Sequence, residues 1–372
     1  CQQTIKQFIA LIVLITMSIQ VSAATATKKV VMIVSGYGQQ QGEEQPGYEF
    51  DEFAKAYAVF KANGIAVDVA SPNGGKVEAD KYDAKKSYNA SVLADQAIMA
   101  KLNNTLSTAT LNAKAYDAIF IVGGKGAMFD LPKDEALKTI IADIYQQQGT
   151  VAAVCHGPAA LVDVKLKDGS YLVANKAVNG FTNKEEKLFG KKWLSKFEFM
   201  LEDKLTKRGA NFQSSEIMLS HVAVDERLIT GQNPTSTVDV AIELVKSLGL
   251  TPVSAAKDIE DNTMAVIAKY LSGDKSALKA ITDSPEQYHI SLAGLYGFFY
   301  LKSAENNAQF ENALTLMVLA QKAINNPMLD MKIAKTQHKL GKNQDAENTL
   351  KQLLASKPDH KPALDMLKTL SL

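Results

Sequence analysis

Runs of apolar β-formers alternate along the first 250 residues with stretches whose apolar positions recur at helical spacing. Lys28–Val34 (KKVVMIV) predicts a strand that ends in Ser35-Gly36. Asp51–Ala62 places Phe53, Tyr57 and Phe60 on one helical face and stops at Asn63-Gly64. Ile65–Ala70 is the next strand, closed by SPNGG, and Val92–Leu102 the next helix. Asp117–Val122 (DAIFIV) runs into Gly123-Gly124, Asp134–Gln147 reads as a helix, and Thr150–Val154 as a second continuous apolar strand. Val222–Ile229 and Ser236–Leu248 complete the pattern as strand and helix. Continuous apolar strands alternating with helices predict an α/β fold with a parallel sheet covered on both faces. Ligands of such sheets bind beyond the carboxyl ends of the strands. Ser35-Gly36, Gly123-Gly124 and Cys155-His156 are therefore expected on one rim.

The pattern changes near Thr251-Pro252, beyond which only helical periods remain. Gly341, Ala346, Leu350, Leu353 and Pro358 follow the spacing of the second helix of a tetratricopeptide repeat, and Ala313 precedes Ala346 by 33 residues. Residues 253–372 are read as a helical, tetratricopeptide-like region, with a plain helical hairpin bundle as the alternative. Stacked repeats of that kind would offer a surface for a protein partner.

Residues 1–24 have a different character. Lys6, the apolar run Phe8–Ile19 and the small residues VSAA have the layout of a secretory signal peptide, with cleavage expected after Ala23 or Ala24. The run is too short for a membrane span. Cys1 precedes it, so it is not in the place of a lipid-bearing cysteine. The expectation is an exported, periplasmic or secreted protein, free of the membrane once cleaved. Charge is balanced, 41 Lys+Arg against 40 Asp+Glu, which argues against nucleic acid as a partner.

Cleavage would leave Cys155 as the sole cysteine in an oxidising compartment, which makes it a candidate reactive thiol. TVAAVCHGPA carries it from a buried strand into a sharp turn and an expected helix. The N-terminus of that helix would favour thiolate. The backbone N–H groups of His156 and Gly124 are candidate oxyanion donors, an arrangement suited to thiolate addition to a carbonyl.

VCHGPAAL, IVGGKGAMFDLP and EFDEFAKAYAVFKANGIAVDVASPNGG resemble the DJ-1/PfpI superfamily, whose fold is of the class I glutamine-amidotransferase, flavodoxin-like type. NGFTNKEEKLFG, FMLEDKLTKRGANF and VAVDERLITGQNPTS are similar to its heat-shock-protein-31 type branch. The resemblance covers about residues 28–250, so residues 25–252 are expected to form the catalytic domain. It implies Cys155 as nucleophile, His156 as its neighbour, Glu52 as acid/base and Glu186 as the residue that orients His156. Glu185 stands beside Glu186, and motif counting alone separates them. The implied activity is a cofactor-free, glutathione-independent glyoxalase (D-lactate dehydratase type) that turns methylglyoxal into lactate. A deglycase or PfpI-type amidase at the same cysteine is the alternative, and a holdase chaperone or redox-sensing binding protein is another. A homodimer is also within the family's range.

The chemistry gives these residues the same roles. The thiol forms a hemithioacetal, and one carboxyl whose pKa is raised by burial can move a proton between adjacent carbons. His156 and Cys155 are adjacent in sequence, which does not by itself pair their side chains. Gly123 and Lys125 are weaker substrate-binding candidates. Lys125 stands where the family often has histidine, and either helps to bind the carbonyl or reaches solvent. With His156 engaged, too few histidines remain in this domain for a metal site, and none is expected.

Overall fold

The computed structural model describes residues 27–253 and 258–370. The expected leader and Cys1 lie outside the described residues. The described residues form nine strands: β1 (Lys29–Ile33), β2 (Ala66–Ser71), β3 (Leu106–Ser107), β4 (Ala118–Ile121), β5 (Thr150–Val154), β6 (Ala177–Val178), β7 (Asn211–Phe212), β8 (Val222–Asp225) and β9 (Leu228–Gly231). Seven form one sheet in the order β3-β2-β1-β4-β5-β9-β8. All neighbours in it are parallel except β8 and β9. β4 and β5 are buried along their whole length, as strands covered on both faces must be.

Seven helices belong to this domain or its edges: α1 (Phe50–Ala62), α2 (Ser87–Ala94), α3 (Gln96–Asn103), α4 (Glu135–Gln146), α5 (Asn183–Phe189), α6 (Leu201–Lys207) and α7 (Thr237–Ser247). α1 begins with Asp51 and Glu52 in its first turn, where the helix dipole favours acids, and packs on α7. The Asp134 carboxylate accepts the Leu137 N–H and starts α4, which lies on β4 and β5. The large buried side chains Phe53, Phe60, Phe120, Ile119 and Ile141 fill the core between sheet and helices.

Two predicted elements divide. The helix expected over Val92–Leu102 breaks at Asp95, which is extended and caps a new helix by accepting from the N–H groups of Ala97 and Ile98. The strand expected over Val222–Ile229 is a hairpin. Glu226 adopts a left-handed φ of 54° between β8 and β9, and its two-residue turn with Arg227 reverses the chain.

The remaining helices are α8 (Ile259–Leu271), α9 (Lys279–Asp283), α10 (Ile290–Ser303), α11 (Asn307–Gln321), α12 (Pro327–Lys339), α13 (Asn343–Ser356) and α14 (Lys361–Leu370). α10 packs on α11, and α13 packs on both α12 and α14. This all-helical region is joined to the sheet domain. Ile217 and Leu219 are buried in one cluster with Ile267, Ile281, Ala293 and Tyr296. Lys55 on α1 bonds Asp261 at 2.7 Å and lies 3.4 Å from Asp258, and Lys86 bonds Glu260 at 3.0 Å.

Candidate active site

The register aligns Ile33 with Ile121 and Ile121 with Ala153, so β1, β4 and β5 end together. Their carboxyl ends bring Ser35-Gly36, Gly123-Gly124 and Cys155-His156 to one rim. Ser35 Oγ and Gly36 N–H both donate to Asp130, which ties the first of these turns.

Cys155 follows β5 with φ at 61°, the left-handed region that non-glycine residues seldom occupy. Its N–H is held by the Gly231 carbonyl at 2.9 Å and its carbonyl accepts from Phe181 N–H at 2.8 Å, so the strained elbow is clamped on both sides. Gly157 lets the turn descend onto β4, because a Cβ there would stand 2.4 Å from the Ile121 carbonyl oxygen. The expected helix after the elbow is a tight 3₁₀ turn over Gly157–Leu161.

The elbow turns Cys155 and His156 toward each other, with Sγ 3.3 Å from Nδ1. His156 Nε2 is 2.7 Å from Glu186 Oε2, and all three side chains are buried. The choice between the two neighbouring glutamates is geometric. On α5 their side chains diverge by about 100°. Glu186 meets His156. Glu185 turns into a polar pocket and accepts from Thr182 N–H and Oγ, Met218 N–H, Gln232 and Asn233. Gly190 makes room for Glu186, since a Cβ there would fall 1.7 Å from Glu186 Oε1.

Glu52 reaches the site from the first turn of α1. Gly123 N–H donates to its Oε2 at 2.7 Å, and the carboxyl lies within hydrogen-bonding reach of the Cys155 thiol. A Cβ on Gly123 would lie 2.6 Å from Glu52 Oε2 and 2.7 Å from Cys155 Cβ, so the glycine lets carboxyl and thiol approach. Burial, and then the charge of Glu49, push the Glu52 pKa well above the usual carboxylate range. Burial and the neighbouring Glu52 push the Cys155 thiol up as well, opposed by Lys125. Burial therefore works against the expected bias toward thiolate and favours the protonated forms of both thiol and carboxyl. The short turn after Cys155 offers little helix dipole against that burial.

Glu49 is pushed up to about 7 by burial and by Asp51 and Asp80, while Lys125 and Lys86 oppose this. Half-buried Lys125 is thus one of the cations, with Lys86, that face this cluster of acids. The backbone N–H groups of Gly124 and His156 donate to no acceptor among the described residues. No three His, Cys, Asp or Glu side chains converge as metal ligands among those residues.

Sequence reasoning missed the aromatic wall. Phe181 lies 4.5 Å from the His156 ring, Phe197 closes its other edge at 6.3 Å, and Phe129 packs on Phe197, Trp193 and Tyr37. Only the clustering of aromatics around residues 181–199 hinted at it. Gly190 was missed as well. Its signal was a glycine one turn after a glutamate.

With this geometry in place, the comparisons with known proteins are specific. The DJ-1/PfpI family model matches residues 45–247. The glutathione-independent glyoxalase hsp3101 of Schizosaccharomyces pombe is 32% identical over 243 residues, 60% of this chain and 98% of that protein. The glutathione-independent glyoxalase HSP31 of Saccharomyces cerevisiae is 30% identical over 60% of this chain and 99% of its own. Among solved structures, the Rapid Encystment Protein 24 kDa of Francisella tularensis is similar with a TM-score of 0.56 and 33% identity, over 60% of this chain and 99% of its own.

Proposed function

Because the chain belongs to the DJ-1/PfpI family, we propose that it is a glyoxalase III-type enzyme that isomerises and hydrates 2-oxoaldehydes to 2-hydroxy acids without glutathione. The observation that carries this reading is the chain Glu186–His156–Cys155, with the buried carboxyl of Glu52 against the thiol. The names of the relatives hsp3101 and HSP31 support it.

The steps follow from the groups present. Cys155 Sγ attacks the aldehyde carbon and its proton passes to His156, while Glu52 gives its proton to the aldehyde oxygen. The N–H groups of Gly124 and His156 are the donors for the charge that builds on that oxygen. The ionised Glu52 then removes the hydrogen from the same carbon. The electron pair forms the carbon–carbon double bond of an enediol, and the ketone oxygen takes the proton from His156. Glu52 returns its proton to the former ketone carbon, and the first hydroxyl loses its own to His156. A thioester of the 2-hydroxy acid results, with Glu52 ionised and His156 protonated. Water cleaves the thioester, releasing the acid and the thiol, and the His156 proton restores Glu52. Raising the Glu52 pKa serves this cycle, since one carboxyl must act as acid, base and acid again. Glu186 steadies the imidazolium each time it forms.

The test is lactate formation from methylglyoxal by purified protein in glutathione-free buffer. Wild type is expected to produce lactate and Cys155→Ala to fall to background. Equal rates would remove the reading. We place the enzyme outside the cytoplasm on the strength of the leader-like residues 1–24. N-terminal sequencing of protein recovered from an exporting host should begin near Ala24 or Thr25.

A further inference from the structure

α10 packs on α11 and α12 on α13, so α10 and α12 stand as neighbours on one face of the helical region. Two adjoining hollows open on that face. One, of about 320 Å³, is lined by Gly294, Leu295 and Phe298 of α10 and by Ile324, Met328 and Leu329. The other, of about 540 Å³, is lined by Met328, Met331, Lys332 and Lys335 of α12 and by Lys357 and His360. Asn326 and Met328 border both, so the two form one trough. These residues lie beyond residue 247, where the family match ends, so the face belongs to this chain's own extension.

Two properties of the trough point to an occupant. Its floor presents apolar side chains to solvent: Met328 is 65% exposed and Leu295 52%. Its charge is of one sign. No Asp or Glu borders either hollow among the described residues, and the ammonium groups of Lys332, Lys335 and Lys357 reach no carboxylate among them. Lys302 of α10 adds to these cations. Its Nζ lies 4.4 Å from the centre of the Phe298 ring, and that of Lys332 lies 5.8 Å from it. Desolvation, and then the charges of Lys191 and Lys332, push the Lys302 ammonium below its ordinary value, as expected where cations gather without anions. The acids of these helices are engaged elsewhere. Glu311 of α11 pairs with Lys342, Glu347 of α13 with Lys351, and Asp330 of α12 accepts from Gln321. Exposed Asp359 and Asp365 border neither hollow. Unpaired cations thus stand beside exposed aliphatic side chains on one surface.

We infer that the trough receives an acidic segment of a partner protein, with aliphatic side chains in the two hollows and carboxylates against Lys332, Lys335 and Lys357. Pairs with exposed lysines are individually weak, so the apolar contacts supply most of the affinity and the charges supply register and selectivity. Met328 and Met331 suit a variable apolar side chain, since the thioether chain adapts its shape. A nucleic acid would also meet the cations, but the floor offers Leu, Ile and Met with a single half-buried Phe where bases need aromatic platforms. The inference does not depend on the reaction at Cys155.

The experiment pans a display library of random dodecapeptides on the full chain. Enriched peptides should carry an excess of Asp and Glu interleaved with Leu, Ile or Met. The Kd of a labelled synthetic peptide from that set is then measured by fluorescence anisotropy, on variants that keep the wild-type circular dichroism. Lys332→Glu combined with Lys335→Glu should weaken binding by roughly tenfold or more, since like charges then face each other. Met328→Ser should weaken it by roughly tenfold, the worth of one buried apolar side chain. Lys351→Glu, on α13, should leave it unchanged, and added salt should weaken it. No enrichment, enrichment without acidic residues, or an equal Kd in wild type and the double variant overturns the inference. A single-stranded oligothymidine that binds more tightly than the peptide, and loses that affinity in the double variant, would assign the face to nucleic acid and overturn it as well.

Discussion

Replacing Glu52 with glutamine should make the protein more stable and almost inactive, and the size of the gain should depend on pH. In the unfolded chain this carboxyl ionises near pH 4.5; in the folded chain burial and Glu49 keep it protonated well above that. The folded state therefore binds more protons. Its advantage is complete below pH 4.5 and is lost as pH rises through the folded value, at about 1.4 kcal/mol per pH unit. Glutamine keeps the acceptor for Gly123 N–H and ends this dependence. Glu49, raised to about 7, contributes a slope of its own in both proteins and largely cancels in their difference. Urea unfolding at pH 5, 6 and 7 would be followed by fluorescence of Trp193, the single tryptophan, buried beside Phe129. The stability gain of Glu52→Gln over wild type should grow by about 1.4 kcal/mol per unit across the range in which folded Glu52 stays protonated. Lactate formation should fall by roughly 10²–10⁴-fold, the usual worth of a general acid–base. A gain that stays constant or shrinks with pH would refute the claim that this carboxyl is held protonated by its surroundings.

Gly190→Ala should drive the Glu186 carboxylate from its place, because the new Cβ would stand 1.7 Å from Oε1. We expect kcat to fall by about tenfold or more and the pH–rate profile to shift as His156 loses its partner. Glu185→Ala should cost on the order of 3–5 kcal/mol of stability, because its buried acceptor serves five donors, whereas Glu186→Gln should mainly reduce kcat. Urea unfolding and the lactate assay on both variants check this division, and equal stability losses would contradict it. Lys55→Met breaks the partly buried ion pairs to Asp258 and Asp261 and should weaken the seat of α8 by about 3 kcal/mol, read as faster release of the helical region in limited proteolysis.

The local pattern was enough for the elements whose burial is uniform. β1, β4 and β5 are continuous apolar runs, and α4 and α7 lie within a residue or so of where their periodicity and flanking residues put them. The splits at Asp95 and Glu226 were harder to see, because each depends on one residue taking a backbone conformation that its neighbours do not announce. The rim was legible for a topological reason. Parallel strands in register end together, so three turns far apart in sequence had to share one edge.

The sequence by itself determined that a cysteine sits at a strand end, that a glycine follows it two residues on, and that acids crowd the start of α1. It also carried the family motifs from which Glu52 and Glu186 were named. Only the tertiary structure decided how those groups behave. Thiol and carboxyl affect each other's proton affinity through the distance between α1 and the elbow, which the Gly123 turn sets. Which glutamate meets His156 depends on how α5 is rotated against the sheet. The direction of the thiol's pKa shift depends on burial, which neighbours distant in sequence impose.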